Sequence, residues 1–216
     1  MAKLKAFKNR RQAGELLAER LDAYAGHSDA ILLALPRGGV PVAFSISRKL
    51  NIPLDILIVR KLGVPGHAEY AMGAIASGGL RVLQQDVLDT LDISPAVVET
   101  ITQRELREIE RRERLYRDNR PTPSLHDRIV ILVDDGLATG STMLAAVQAV
   151  RQEEPKRVIV AVPVAAPDTC QKLAAEADEI VCLSTPSPFY AVGIWYEDFS
   201  QTSDDEVRNL LRQAGQ

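Results

Sequence analysis

The amino-acid sequence predicts an α/β protein, a doubly wound and mostly parallel sheet with helices on both faces. Three observations carry that expectation. Short unbroken apolar runs recur, "AILLAL" (Ala30 to Leu35), "RIVILVDD" (Arg128 to Asp135) and "RVIVAVPV" (Arg157 to Val164), and such runs suit strands covered on both faces. A stretch of helical character separates each from the next, the alternation that builds βαβ units. The 216 residues are enough for one full-sized domain and cramped for two.

In chain order, Asn9 and Gln12 are spaced like a capping pair ahead of Ala13, Leu16, Leu17, Leu21 and Tyr24, an apolar stripe at helical spacing. "AILLAL" is the first strand; "PRGG" breaks it, and a helix follows from Val40 to Leu50. "LDILIVR" (Leu54 to Arg60) reads as a second strand. The glycine-rich stretch from Gly63 to Leu83 departs from the alternation, and "SGG" between "MGAIA" and "LRVLQ" predicts a hairpin turn.

Pro95 then starts a charged helix running to about Asn119, whose arginines and acids read as a solvated face laced with internal ion pairs. The strand, helix and strand pattern returns with "RIVILVDD", a helix from about Ser141 to Arg151, and "RVIVAVPV". A helix near Asp168 to Ala177 and a short strand "EIVCL" close the core. Ser203 and Glu206 form a capping box for a last helix.

Composition narrows the function. With 46% apolar and 25% charged residues and a net charge of -3, nothing makes the chain broadly basic, so a nucleic-acid partner is disfavoured. Only about thirty residues stand before the first strand, too few for a DNA-binding appendage on that side. The two cysteines, Cys170 and Cys182, lack zinc or redox spacing and are expected as core thiols. His27, His67 and His126 are scattered; His67 and Glu69 fall in what reads as a mobile loop, with no role assigned. No signal-peptide core or membrane-length apolar run occurs, so a cytoplasmic location and no membrane partner are expected.

The chemistry concentrates in "ILVDDGLATGST" (Ile131 to Thr142). Beyond the carboxyl end of a parallel strand, a glycine-rich loop aims backbone N–H groups at an anion, and the following helix presents its positive end. No Gly-Lys-Ser/Thr closes the loop, so it is not a nucleotide-triphosphatase P-loop. Asp134 and Asp135 repel one another and need hydroxyl or cationic partners. A sugar carrying both a phosphate and a vicinal diol satisfies loop and acids together.

"VILVDDGLATGST" resembles the signature of the type I phosphoribosyltransferases. "PRGG" is similar to that family's pyrophosphate loop, and "VRKLGVPGHAEYAMGAI" to its strand ending in a basic pair before a mobile loop. The resemblance implies that Asp134 and Asp135 contact the ribose of phosphoribosyl pyrophosphate, that Ala138, Thr139, Gly140, Ser141 and Thr142 bind its 5-phosphate, and that Arg37, Gly38, Arg60 and Lys61 contact the pyrophosphate. Magnesium is expected to arrive with that donor, with no direct protein ligand assigned.

The resemblance also implies a single domain over 1–216, with a core at about 28–184, a small hood from about 1–27 and 185–216, and a mobile or inserted region at about 63–120. The tail holds five of the chain's ten aromatic residues, and Phe189, Tyr190 and Trp195 are candidates for stacking on a flat nitrogen acceptor. The implied activity is transfer of a 5-phosphoribosyl group between the donor and that acceptor, in a chain compatible with a homodimer. A sensor that binds the donor without turnover is the alternative. A receiver domain, which also pairs acids at a strand end, is discounted because the later strands end without a phosphoacceptor aspartate.

Overall fold

The computed structural model describes residues 6–118 and 120–215. Its centre is a five-stranded parallel sheet in the order β2-β1-β6-β7-β8, built from β1 (Ala30–Ala34), β2 (Leu54–Ile56), β6 (Ile129–Val133), β7 (Arg157–Val164) and β8 (Glu179–Ser184). The expected doubly wound fold is present. Alternation along β1 shows why: Leu32 and Ala34 join one core while Ile31 and Leu33 join the other, as a period of two requires.

Helices α1 (Arg10–Arg20), α2 (Gly39–Leu50) and α7 (Asp204–Ala214) cover the first core through Leu17, Ile46 and Leu211. Helices α5 (Ser141–Arg151) and α6 (Pro167–Leu173) cover the second through Met143, Val147 and Leu173. Asn9 caps α1 by accepting from the Gln12 amide at 3.0 Å, and Ser203 caps α7 by accepting from the Glu206 amide at 3.1 Å. The order of the parallel strands reverses between β1 and β6, and a ligand crevice opens at such a switch point.

The reading of Leu54 to Arg60 as one strand needs correction. Only β2 lies in the parallel sheet; β3 (Val59–Val64) opens a separate antiparallel sheet with β4 (His67–Ala76) and β5 (Arg81–Leu83). The handover is made by hydrogen bonds. Leu57 N–H donates to the Ala34 carbonyl at 3.0 Å, whereas Ile58 N–H donates to the Ser77 hydroxyl at 3.0 Å. A continuous apolar run shows burial but not which sheet receives it.

The stretch from Gly63 to Leu83, read as a loop with one hairpin, is two hairpins, β3–β4 and β4–β5. The second turns through Ser77–Gly79, where Gly78 and Gly79 take φ of 79° and 78°. The Glu69 side chain and Asn119 lie outside the described residues. A short helix, α3 (Gln85–Thr90), leads to α4 (Pro95–Arg117).

Part of α4 is the solvated ion-paired face expected of it: Glu108 pairs with Arg111 and Arg112 at 2.8 and 2.7 Å. Arg117 is not. It is 4% exposed, and donates to Asp55 at 3.1 Å, to the Ile56 carbonyl at 2.8 Å and to Glu113 at 2.5 Å. The bonds to Asp55 and Ile56 fasten the end of α4 to β2, and Glu113 on the same helix completes the set around a buried cation.

Candidate functional site

Asp134 and Asp135 leave β6 at the switch point. The Asp135 amide donates to Asp134 Oδ1 at 2.8 Å. The "PRGG" turn, leaving the neighbouring β1, packs directly on them: a Cβ on Gly38 would stand 2.0 Å from Asp135 Oδ2, and one on Gly39 would stand 2.5 Å from the Val133 carbonyl. Glycine is therefore needed here for close approach, not for φ. Arg37 turns toward Asp204 at the start of α7, 3.8 Å away, and the Tyr116 hydroxyl donates to the same carboxylate at 2.6 Å.

Burial pushes the Asp134 carboxyl well above the ordinary carboxylate range, and the like charge of Asp135 pushes it further. Burial also raises Asp135, but the Arg10 guanidinium opposes the shift. Arg10 Nε donates to Asp135 Oδ2 at 2.8 Å, with both side chains nearly enclosed. The backbone of Asp135 is gripped as well, since the Tyr196 hydroxyl donates to its carbonyl at 2.5 Å.

Gly136 to Gly140 form the loop. Leu137 bridges to Ala165 beyond β7, and the Thr169 hydroxyl on α6 donates to the Ala138 carbonyl at 2.6 Å. Gly140, at φ 70°, is the N-cap of α5 and offers no side-chain cap. The first amides of α5 are thus left for another acceptor, at the helix end where an anion is favoured. The Thr139 and Ser141 hydroxyls lie 3.2 Å apart at that end, and Ala138, Thr139, Ser141 and Thr142 are all exposed.

Lys61, from β3, shares one cavity with Thr139, Gly140 and Ser141, and α6 adds Lys172 to its lining. A second cavity brings Arg60 and Lys61 to Thr142. The Arg60 guanidinium is engaged there by buried Glu105, at 2.8 and 2.9 Å. Lys61 and Arg60 thus stand on the side of the loop that starts α5, whereas the Arg37–Gly38 turn stands beside the acids.

The hood is formed by both ends of the described chain. Phe7 N–H donates to the Trp195 carbonyl and Glu197 N–H to the Phe7 carbonyl, each at 2.8 Å. Trp195 and Phe189 stack with centroids 6.4 Å apart, while Tyr190 is 80% exposed. Trp195 Nε1 is buried with no hydrogen-bond partner among the described residues. Sequence reasoning passed over Arg10, Thr169 and Lys172, and counted Tyr196 only among the tail aromatics. Arg10 lies in the basic run "KNRRQ", which carries no periodic mark of a role, and its partner is 125 residues away.

The model of the phosphoribosyl transferase domain family matches residues 3–196. A Mycobacterium tuberculosis protein named "Putative phosphoribosyl transferase" is 45% identical over 211 residues, covering 98% of this chain and 47% of that protein. The chain thus spans about half the length of the curated relatives it matches. Among solved structures, TT1426 from Thermus thermophilus is 43% identical with a TM-score of 0.86, covering 96% of this chain and 98% of its own. A hypothetical protein from Neisseria gonorrhoeae, solved with bound ppGpp, shares the fold at 16% identity, with a TM-score of 0.50 over 100% of this chain and 99% of that one.

Proposed function

The chain belongs to the phosphoribosyl transferase domain family, and from that premise we propose that it moves a 5-phosphoribosyl group between phosphoribosyl pyrophosphate and a nitrogen acceptor of nucleobase type. One observation carries the reading. A recessed acid pair and an uncapped, glycine-started helix end leave the same strand, β6, at the switch point of the sheet. Ligand diol and ligand phosphate find complementary partners a few residues apart.

In this reading Asp134 and Asp135 accept from the ribose hydroxyls, and residues Ala138 to Thr142 receive the 5-phosphate. Arg37 and the Gly38 backbone face the diphosphate, with Arg60 and Lys61 closing the opposite wall. The bond from ribose C1 to the diphosphate breaks as the acceptor nitrogen bonds to C1. Cations ahead of the departing oxygen stabilise its developing charge.

Among the described residues no group of three or more His, Cys, Asp or Glu side chains is arranged to hold a metal. In this reading magnesium arrives as an ion carried by the donor's own oxygens and water, the mode it favours with phosphates. It would supply charge neutralisation to the leaving diphosphate. Phe189 and Trp195, stacked under the hood, and exposed Tyr190 are the acceptor-side candidates.

No helix among the described residues is long and apolar enough to cross a membrane. The two free cysteines suit a reducing compartment such as the cytoplasm.

A donor-binding sensor is the second reading, favoured by two engaged cations: Arg60 is held by Glu105, and Arg37 faces Asp204. Pyrophosphate release, measured with magnesium, phosphoribosyl pyrophosphate and a panel of purines, pyrimidines and simple amines, decides between them. Release with one acceptor class supports transfer. Donor binding without release across the panel supports the sensor.

A further inference from the structure

Asp135 is gripped on two sides. Its Oδ2 accepts from Arg10 Nε at 2.8 Å on one side and is walled by the Gly38 backbone on the other, where even a methyl group would fall 2.0 Å away. The Arg10 guanidinium lies over the Phe199 ring with its carbon 3.9 Å from the centroid. A second nitrogen of the same group donates to the Ser200 carbonyl at 2.7 Å. A planar cation fixed by an aromatic face and two acceptors is preorganised, not a loose surface charge.

We infer that Arg10 is a positioning residue for the acid pair: it fixes the Asp135 carboxylate in one orientation and supplies its counter-charge, so that both acids accept from a ligand diol. The inference rests on the functional reading above and assigns to the hood a role at the donor rather than at the acceptor alone. The need for such a residue follows from the surroundings. The charged and titratable groups facing Asp135 are Asp134 beside it just beyond β6, Arg10 from α1 and Tyr196 from the tail, while Asp198 faces Arg10. Arg37, on the adjoining turn, is directed to Asp204. Among the described residues Arg10 is thus the cation brought to a pair of adjacent recessed carboxylates. Without it the carboxyls of the pair would be raised further, and a protonated carboxyl has lost an acceptor position that the diol needs.

The test compares wild type, Arg10→Gln and Arg10→Lys in the full chain. Carboxyl carbon NMR titration of Asp134 and Asp135 needs no ligand. The expected result is a rise of about one pH unit in the pair's midpoints in Arg10→Gln, largely reversed in Arg10→Lys. Calorimetry with magnesium and phosphoribosyl pyrophosphate should then show roughly tenfold weaker binding by Arg10→Gln near neutral pH, with the gap closing as pH rises through the shifted midpoints. Unchanged titration overturns the inference, as does tighter donor binding by Arg10→Gln, which would make Arg10 a plug. A pH-independent loss accompanied by a lower melting temperature in both variants also overturns it and makes Arg10 a hood anchor. If the titration shifts as expected but wild type binds no donor, the positioning role stands and the functional reading fails.

Discussion

The Thr169 hydroxyl donates to the Ala138 carbonyl at 2.6 Å, so a side chain on α6 sets the position of a loop that leaves β6. Replacing Thr169 by Val keeps the bulk and removes the donor. We expect a stability loss of about 0.5–1.5 kcal/mol, the net worth of a typical hydrogen bond, and weaker binding of ribose 5-phosphate. Thermal melts and calorimetry check it; unchanged phosphate affinity would detach the loop from α6.

Gly140 combines φ of 70° with a Cβ position 2.4 Å from the Thr169 methyl. Gly140→Ala should therefore cost more than about 1 kcal/mol, since both the left-handed backbone and the contact oppose a side chain. The loss should fall mainly on the phosphate loop, read as raised amide exchange over residues 137–144.

Asp134 carries a carboxyl raised well above its ordinary value of 3.8, burial being the largest cause. The unfolded chain therefore releases this proton before the folded one does. Stability is full below the unfolded value and is lost as pH climbs from there through the folded value. Asp134→Asn should equal or exceed wild type in melting temperature at neutral pH, lose that advantage below about pH 4, and bind donor poorly. A strongly destabilised Asn variant at neutral pH would make the acid a structural acceptor.

Arg117 sits buried between Asp55 and Glu113. Arg117→Met leaves two recessed carboxylates without their cation, for which a loss of about 3–5 kcal/mol is expected. Chemical denaturation at neutral pH measures it. A loss under about 1 kcal/mol would show that water replaces the guanidinium.

The Tyr190 ring is 80% exposed beyond the stacked pair of Phe189 and Trp195. Tyr190→Ala should leave stability within about 0.5 kcal/mol of wild type. If the ring stacks on the acceptor, the same change weakens acceptor binding by about 1–3 kcal/mol with donor affinity untouched. Equal acceptor affinity would withdraw that contact.

Much of the site was readable because its parts are contiguous. The run from Val130 to Thr142 contains strand, acids, loop and helix start in one stretch, so periodicity and glycine placement suffice. Arg10 was not readable, because its partner Asp135 is met only after α1 packs against α2, β7 and β8. Arg117 was hidden for a different reason: the i,i+4 spacing of its pair with Glu113 is the same as that of the exposed pair Glu110 with Arg114. Spacing reports which charges can meet and says nothing of whether water reaches them. The seam at Leu57 and Ile58 was lost similarly, since both residues are apolar and buried and only their backbone partners differ.

Arg117 NH2 donates to the Ile56 carbonyl, so the chain comes back from β3, β4, β5, α3 and α4 to the place where it departed. An excursion whose two ends touch is a detachable module in the geometric sense: its length and content can be recast without asking the parallel strands to change register. Because Lys61 rides on that module and Thr139 does not, variation within it changes the width of the cavity they share while leaving the acids untouched. Diversification of what this scaffold accepts can therefore proceed on one side of the crevice alone.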